Sequence, residues 1–337
     1  MRRFASMSTT DLQDWGWQGA ARADVRAGEI GRVLREDRRR LRVVTSRGVR
    51  LVAHRGKAFT QPLALPHVGD WVCVSKDDDM TSLAQMIETL PRTSEIARLT
   101  SQGTQTIAAN VDEAWLLVDA VRNVNLPALE RYMIAIEESG AKARLVLSKI
   151  DLDCNSMVLA DQLRAHFRDM DVHEVSALTG DGMQALSATL RARSTYCLMG
   201  ESGTGKSTLL NRLAGRDIAR TGEARGRDGK GRHVTTHREL FRLPSGALFI
   251  DTPGMRELVP VLAASAKPRR FERILEIARD CQFADCSHQH EPGCAVRQAI
   301  DDGRLPASLA ENYSRLASPP DERMSARMRL HRSSSTD

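Results

Sequence analysis

Aromatic residues are scarce: phenylalanine, tryptophan and tyrosine together make up 4% of the 337 residues. In the basic N-terminal part they are chiefly Phe59 and Trp71. That is too few to stack the bases of a single strand. Long apolar runs are missing as well. None approaches the roughly 20 residues of a membrane span, so no membrane partner is expected. The opening stretch MRRFASMSTTDLQDWGW carries two arginines but lacks the apolar core of a secretory signal. The cytoplasm is the expected compartment. Cysteine is thin, six residues in all, and unevenly placed. Cys73, Cys154 and Cys197 are scattered and read as ordinary thiols. Cys281, Cys286 and Cys294 crowd into one stretch, which in a reducing cytosol points to metal before disulfide.

The composition, 41% hydrophobic and 27% charged, describes a globular chain with room for about two or three domains. No internal repeat is evident. The net charge is +6, but residues 22–57 hold twelve Arg/Lys against four Asp/Glu, a local balance of +8. A stripe of that kind suits a phosphate backbone; the alternative is a merely solvated face.

Three regions follow from the residue patterns. After an N-terminal extension, 1–27, residues 28–98 alternate short β-rich runs with Gly- and Asp-bearing turns, as in RLRVVTSRG and PHVGDWVCV. This spacing predicts a small barrel, with a five-stranded OB-type barrel as the candidate. With few aromatics, it is expected to contact folded RNA through phosphates. Residues 99–259 alternate strands and helices, which indicates a mostly parallel α/β sheet. The third region, 260–318, is helical around the cysteine cluster. The basic, Ser-rich tail 319–337 is expected to be disordered.

The strongest signal is GESGTGKS, comprising Gly200, Glu201, Ser202, Gly203, Thr204, Gly205, Lys206 and Ser207, followed by Thr208. Its spacing matches a P-loop between a predicted strand and a predicted helix. Glycines let backbone N–H groups turn inward around phosphate oxygens, and the helix presents its positive end. Lys206 is expected at the β- and γ-phosphates and Ser207 on Mg²⁺. Asp251-Thr-Pro-Gly254 ends an apolar strand. There Asp251 would hold magnesium through water, and the Gly254 N–H would sense the γ-phosphate. Between them, GRDGKGRHVTTHREL reads as a switch segment in which Thr235 or Thr236 supplies a second hydroxyl to Mg²⁺.

Upstream, the strand ARLVLSKIDL ends in Ser148, Lys149, Ile150 and Asp151, similar to the Asn-Lys-x-Asp stretch with which GTPases read guanine. In that pattern Asp151 accepts from the N1–H and the exocyclic amine, and Lys149 lies along base and ribose. Ser176 and Ala177 match the next element, whose backbone amide supports O6. Base motif therefore precedes P-loop. A parallel sheet permits this order, because each strand contributes its loop to the same edge. The segment after Gly254 then runs directly into the third region, so switch movement is expected to reach it.

Cys281-x4-Cys286-x-His288-x5-Cys294 supplies three thiolates and an imidazole, a complete tetrahedral set for a structural Zn²⁺. His290 is the nearest competing ligand.

In this order, flanked by a barrel and a Cys/His module, the motifs resemble those of the circularly permuted ribosome small-subunit-dependent GTPases of bacteria. Further matching stretches include VGDWV, AANVDEAWLLVDA, DTPGMREL and CQFADCSHQHEPGCAV, so the likeness covers nearly the whole chain. It implies late-acting assembly of the small ribosomal subunit, with GTP hydrolysis stimulated by that subunit. Partners would be the subunit, its rRNA and GTP or GDP, with the chain monomeric. The resemblance favours His288 as zinc ligand and His233 as the water-positioning residue, with His237 a weaker candidate. Two departures stand out. Ser148 replaces the asparagine, and its shorter side chain is not expected to span the same contacts. Val234 takes the place of a third threonine. Met255 stands where many GTPases place a glutamine, so hydrolysis is expected to await a partner. Two other readings remain: an RNA-binding nucleotide switch with negligible turnover, and a P-loop ATPase or kinase.

Overall fold

Among the described residues of the N-terminal region, short β-rich runs build five strands: β1 (Gly28–Asp37), β2 (Arg40–Thr45), β3 (Gly48–Ala53), β4 (Trp71–Ser75) and β5 (Ala84–Thr89); β3 and β5 alternate buried and exposed residues, whereas β4 is buried on four successive residues. The structure is a computed structural model describing residues 11–19, 28–37, 40–53, 65–76, 79–100, 103–153, 155–167, 170–218, 238–251, 269–284 and 286–317. β1 pairs with β2, β2 with β3, β3 in parallel with β5, β5 with β4, and β4 back with β1. The sheet thus closes into the expected OB-like barrel, which removes exposed edges. Val33, Leu41, Val43, Val52, Val72, Val74, Ala84 and Met86 fill it.

Part of the positive charge counted in this region is not at the surface. Arg32 and Arg50 are 1% exposed each. Arg50 and Arg47 both pair with Glu29, at 3.0 and 2.8 Å. Arg32 donates to the carbonyls of Gly69 and Asn110 and to Thr195 Oγ1 at 2.8 Å. A buried guanidinium is tolerated only when its N–H groups are met in this way. Here it stitches the barrel to the strands that follow.

Those strands are β6 (Glu95–Thr100), β7 (Gly103–Ala109), β8 (Glu113–Asp119), β9 (Lys142–Ser148), β10 (Val172–Val175), β11 (Thr195–Met199), β12 (Glu239–Arg242) and β13 (Leu248–Asp251). β6 and β7 form a separate hairpin. The others run β10-β9-β8-β11-β13-β12, and β12 pairs onward to β1 of the barrel through Arg35 and Glu239. The first five are parallel. β12 and β13 form an antiparallel hairpin. Helices α1 (Leu126–Glu138), α2 (Ser156–His166), α3 (Met183–Ala188) and α4 (Lys206–Ala214) punctuate the region. Trp115, Tyr196 and Phe249 meet in one cluster with ring centroids 5.2–5.4 Å apart, beside Leu186, Leu209 and Leu210. With Trp71, Phe167 and Phe271 also buried, at least six of the fourteen aromatic residues are core.

The chain divides into two compact units, Met1–Val124 with Ser139–Val259, and Asn125–Glu138 with Pro260–Asp337. The second holds α5 (Arg269–Ala278), α6 (Ala295–Asp301) and α7 (Ala307–Ala317), and also α1. The linear reading kept α1 with the sheet. Its packing decides otherwise. Ile134 joins Phe271, Ile274, Val296, Ala299, Leu305 and Leu309 in the lobe's core. Glu130, buried, accepts from Ser308 Oγ and from Asn312 Nδ2 on α7. Among the described residues no helix is long and apolar enough to cross a membrane.

Candidate nucleotide site and metal centre

Five parallel strands finish at one edge of the sheet, and the singled-out residues lie where they finish. β8 ends on Asp119, β9 on Ser148, β10 just before Ser176, β11 just before Gly200, and β13 on Asp251. Register fixes the neighbours: Asp119 lies opposite Ser148, and Ser148 opposite Val175.

The P-loop turns as its glycines allow. Gly200, Gly203 and Gly205 all have positive φ, and a Cβ on Gly200 would lie 2.6 Å from the Leu117 carbonyl oxygen. Only glycine fits there. Thr204 is buried and its Oγ1 donates to the Glu201 carbonyl. Glu201, Ser202 and Gly203 are exposed, and Ser207 and Thr208 open α4. That helix directs its N–H end at the loop, a built-in anion site. Leu209 and Leu210 anchor it under the sheet. Lys206 Nζ donates to the carbonyls of Gly200 and Glu201 at 2.8 and 2.6 Å. Burial pushes this ammonium down to about 8, opposed by the carboxylate of Asp251. Burial likewise raises Asp251 above the usual carboxylate range, opposed by Lys206. Each group thus loses solvation that the other partly restores.

The base motif reaches this loop directly. Lys149 is left-handed, φ 62°, which breaks β9 into the short 3-10 turn Ile150–Leu152. Asp151 lies exposed on that turn. Lys149 Nζ donates to Asp119 Oδ2 at 2.9 Å, and a Cβ on Gly205 would lie 4.0 Å from Lys149 Cε. Ser148 Oγ lies 3.0 Å from the Val118 carbonyl and 2.7 Å from the carbonyl of Thr204. Serine, though shorter than asparagine, thus reaches the phosphate loop. The strand end approaches the loop closely enough for a hydroxyl to bridge them, although its single proton serves one acceptor at a time. Removing that hydroxyl in Ser148→Ala is expected to cost about 1 kcal/mol of stability and about fivefold in GTP affinity. Denaturant unfolding and nucleotide titration measure the two losses, and an unchanged affinity would mean the contact braces nothing.

Ser176 is buried, with its N–H donated to the Asp181 carbonyl and its Oγ accepting from the Thr179 N–H. Ala177 is half-buried beside it. Two residues at this edge escaped the sequence reading, Asp119 and Arg122. Asp119 is buried and takes Lys149 on one side and Arg122 Nε, at 3.4 Å, on the other. His233, Thr235, Thr236, His237, Gly254 and Met255, with the tail 319–337, lie outside the described residues.

In the second unit, ligand atoms of Cys281, Cys286, His288 and Cys294 lie within 4.8 Å of one another. Cys281 Sγ and Cys294 Sγ are 3.9 Å apart, and His288 Nδ1 lies 3.6 and 3.5 Å from them. A zinc tetrahedron has S–S edges of about 3.8 Å and S–N edges of about 3.6 Å. The donor set fits one such ion. Cys294 also caps α6, its sulfur accepting from the Arg297 N–H. The backbone N–H groups of Ser287, Gln289 and His290 converge on the Glu291 carboxylate. Led by Ser287, these bonds hold its pKa far below the usual range and fix the ligand loop.

The RsgA GTPase family model matches residues 89–259. The small ribosomal subunit biogenesis GTPase RsgA of Methanosarcina acetivorans is 40% identical over 254 residues, covering 74% of this chain and 69% of the relative. RsgA 2 of Lactiplantibacillus plantarum is 39% identical over 320 residues, 91% and 89% of the two chains. YjeQ from Thermotoga maritima superimposes with a TM-score of 0.64 at 25% identity, over 85% of this chain and 95% of that one. YloQ, a circularly permuted GTPase, gives 0.63 at 23%, over 91% and 99%.

Proposed function

Because the chain belongs to the RsgA GTPase family, we propose that one guanine nucleotide lies along the sheet edge between Asp151 and Lys206 during its work in small-subunit maturation. The protein is a GTPase of small ribosomal subunit biogenesis. The observation that carries the placement is the Ser148–Thr204 contact, 2.7 Å, which fastens the base motif to the phosphate loop. A nucleotide spanning them keeps its base at Asp151 and its phosphates over the N-terminus of α4.

The residues then take distinct roles. Amides from Gly200 to Ser207 cradle phosphate oxygens, and Lys206 exchanges its two loop carbonyls for the β- and γ-phosphates. Burial strengthens that attraction. Asp151 accepts from guanine, Lys149 lies against base and ribose where Asp119 holds it, and the Ala177 amide meets O6. Bound Mg²⁺ would neutralise charge on the β- and γ-oxygens; Ser207, Thr235 and Asp251 are its candidate holders. His233 is the candidate for positioning water. A zinc ion on Cys281, Cys286, His288 and Cys294 staples the helical lobe. The barrel contacts rRNA phosphates, and the chain works as a cytoplasmic monomer.

Turnover titrated with purified small subunits tests this. The expected result is slow GTP hydrolysis by the protein alone, a rise of at least about tenfold with subunits, and little use of ATP. One order of magnitude is about 1.4 kcal/mol of barrier, within reach of a partner that orders the switch. A rate indifferent to subunits would remove the coupling, and ATP preference would overturn the Asp151 assignment.

A further inference from the structure

After β8 the chain turns sharply, with the Arg122 N–H donating to the Asp119 carbonyl and the Val121 N–H to Asp119 Oδ1. This throws the Arg122 side chain across the mouth of the P-loop. Its Nε lies 3.4 Å from Asp119 Oδ2, and Nη1 lies 3.3 Å from Glu201 Oε2. Nη2 lies 3.2 Å from the place a Cβ on Gly203 would take, so the guanidinium stands over the bare backbone of the loop.

The two carboxylates holding it differ. Asp119 is 3% exposed and fixed by its other partners, whereas Glu201 is 69% exposed. Exposed ion pairs contribute little to stability, so the Glu201 contact does not explain the placement. Arg122 joins Lys149 and Lys206 at this loop, where the carboxylates of Asp119, Asp251 and Glu201 balance them. A polyanion seated on the loop competes with the exposed one, Glu201, for the guanidinium. Guanidinium is also the side chain whose planar fork best matches phosphate oxygens.

We propose that Arg122 is a nucleotide-binding residue whose guanidinium releases Glu201 and bonds a phosphate oxygen of the bound guanine nucleotide, while Asp119 keeps hold of its other side. Glu201 is then a competitor for that arginine. The inference rests on the guanine-nucleotide reading of the sheet edge.

Calorimetric titration of GDP and GTP into the full chain and its variants, at one salt concentration, tests it. Arg122→Ala is expected to weaken both nucleotides by about ten- to a hundredfold, the range of a charge-assisted hydrogen bond. Arg122→Lys keeps the charge without the fork and recovers part of the loss. Glu201→Gln is expected to tighten binding by about two- to fivefold, the weight of an exposed ion pair. That gain disappears when combined with Arg122→Ala. A merely structural arginine would not make the effect of Glu201→Gln depend on residue 122. Unchanged affinity in Arg122→Ala, or a Glu201→Gln gain that survives without the arginine, overturns the proposal. Should Arg122→Ala fail to fold, Arg122→Lys takes its place in the double variant, where a Glu201→Gln gain kept at full size overturns it. Wild-type protein binding neither nucleotide would instead overturn the guanine reading and this inference with it.

Discussion

Replacing Asp151 by asparagine is expected to weaken GTP binding by a hundredfold or more and to make xanthosine triphosphate the better ligand. Asp151 lies exposed on the 3-10 turn that left-handed Lys149 begins, beyond the end of β9. A carboxylate there offers two acceptor oxygens to the two adjacent donors of guanine, N1–H and the exocyclic amine. Asparagine keeps one acceptor, now uncharged, and turns a donor toward the other position; with each bond to a charged group worth about 1.5–3 kcal/mol, losing one bond and weakening the second amounts to about two orders of magnitude or more. Xanthine carries a carbonyl where guanine carries the amine. The asparagine NH₂ donates to that oxygen, so the pairing is restored. Titrating GTP, xanthosine triphosphate and ATP into wild type and Asp151→Asn measures the exchange. Opposite movements for two ligands cannot come from misfolding. A variant that keeps full GTP affinity would place the base elsewhere.

The contrast between Asp151 and its neighbours shows what could be read in advance. Asp151, Lys206 and the P-loop glycines belong to short local patterns whose spacing carries the chemistry. The barrel and the parallel sheet were legible for a similar reason, since strand period and turn residues are local. Asp119 and Arg122 were not. Their partners Lys149 and Glu201 are 30 and 79 residues away in sequence, and nothing near residue 119 signals a paired carboxylate. Ser148 was legible as a departure, but whether a hydroxyl reaches the loop depends on how closely β9 and the P-loop approach. Pattern does not encode that distance.

Charge shows the same limit. A count over residues 22–57 treats every arginine alike, yet Arg32 and Arg50 are interior and Arg47 is paired with Glu29. Arg32 ties β1 to Asn110 and Thr195, 78 and 163 residues on. The surface available to an RNA backbone is therefore less positive than the raw balance of the region suggests. Basic residues that remain outward, such as Arg40, are the ones a salt-dependent RNA interaction would use.

Chelating the zinc proposed for Cys281, Cys286, His288 and Cys294 is expected to unfold the helical lobe, and to take α1 with it. Among the described residues the lobe's core is small, eight buried residues including Cys294 itself. A core of that size needs a staple. Structural zinc contributes about 10–16 kcal/mol to such a module, more than the core alone would supply. α1 is at risk because Ile134 belongs to this core and buried Glu130 bonds Ser308 and Asn312 on α7. Once α7 leaves, Glu130 gives up its bonds to Ser308 and Asn312, and a buried carboxylate that loses two donors is destabilised. Hydrogen exchange before and after chelation, with zinc released into a colorimetric indicator, reports both parts. Amides of 126–138 should lose protection together with those of 269–317, although the helix lies more than a hundred residues before the ligands. Release of zinc with α1 still protected would show that the helix is held by the sheet region, and absence of zinc would remove the staple altogether.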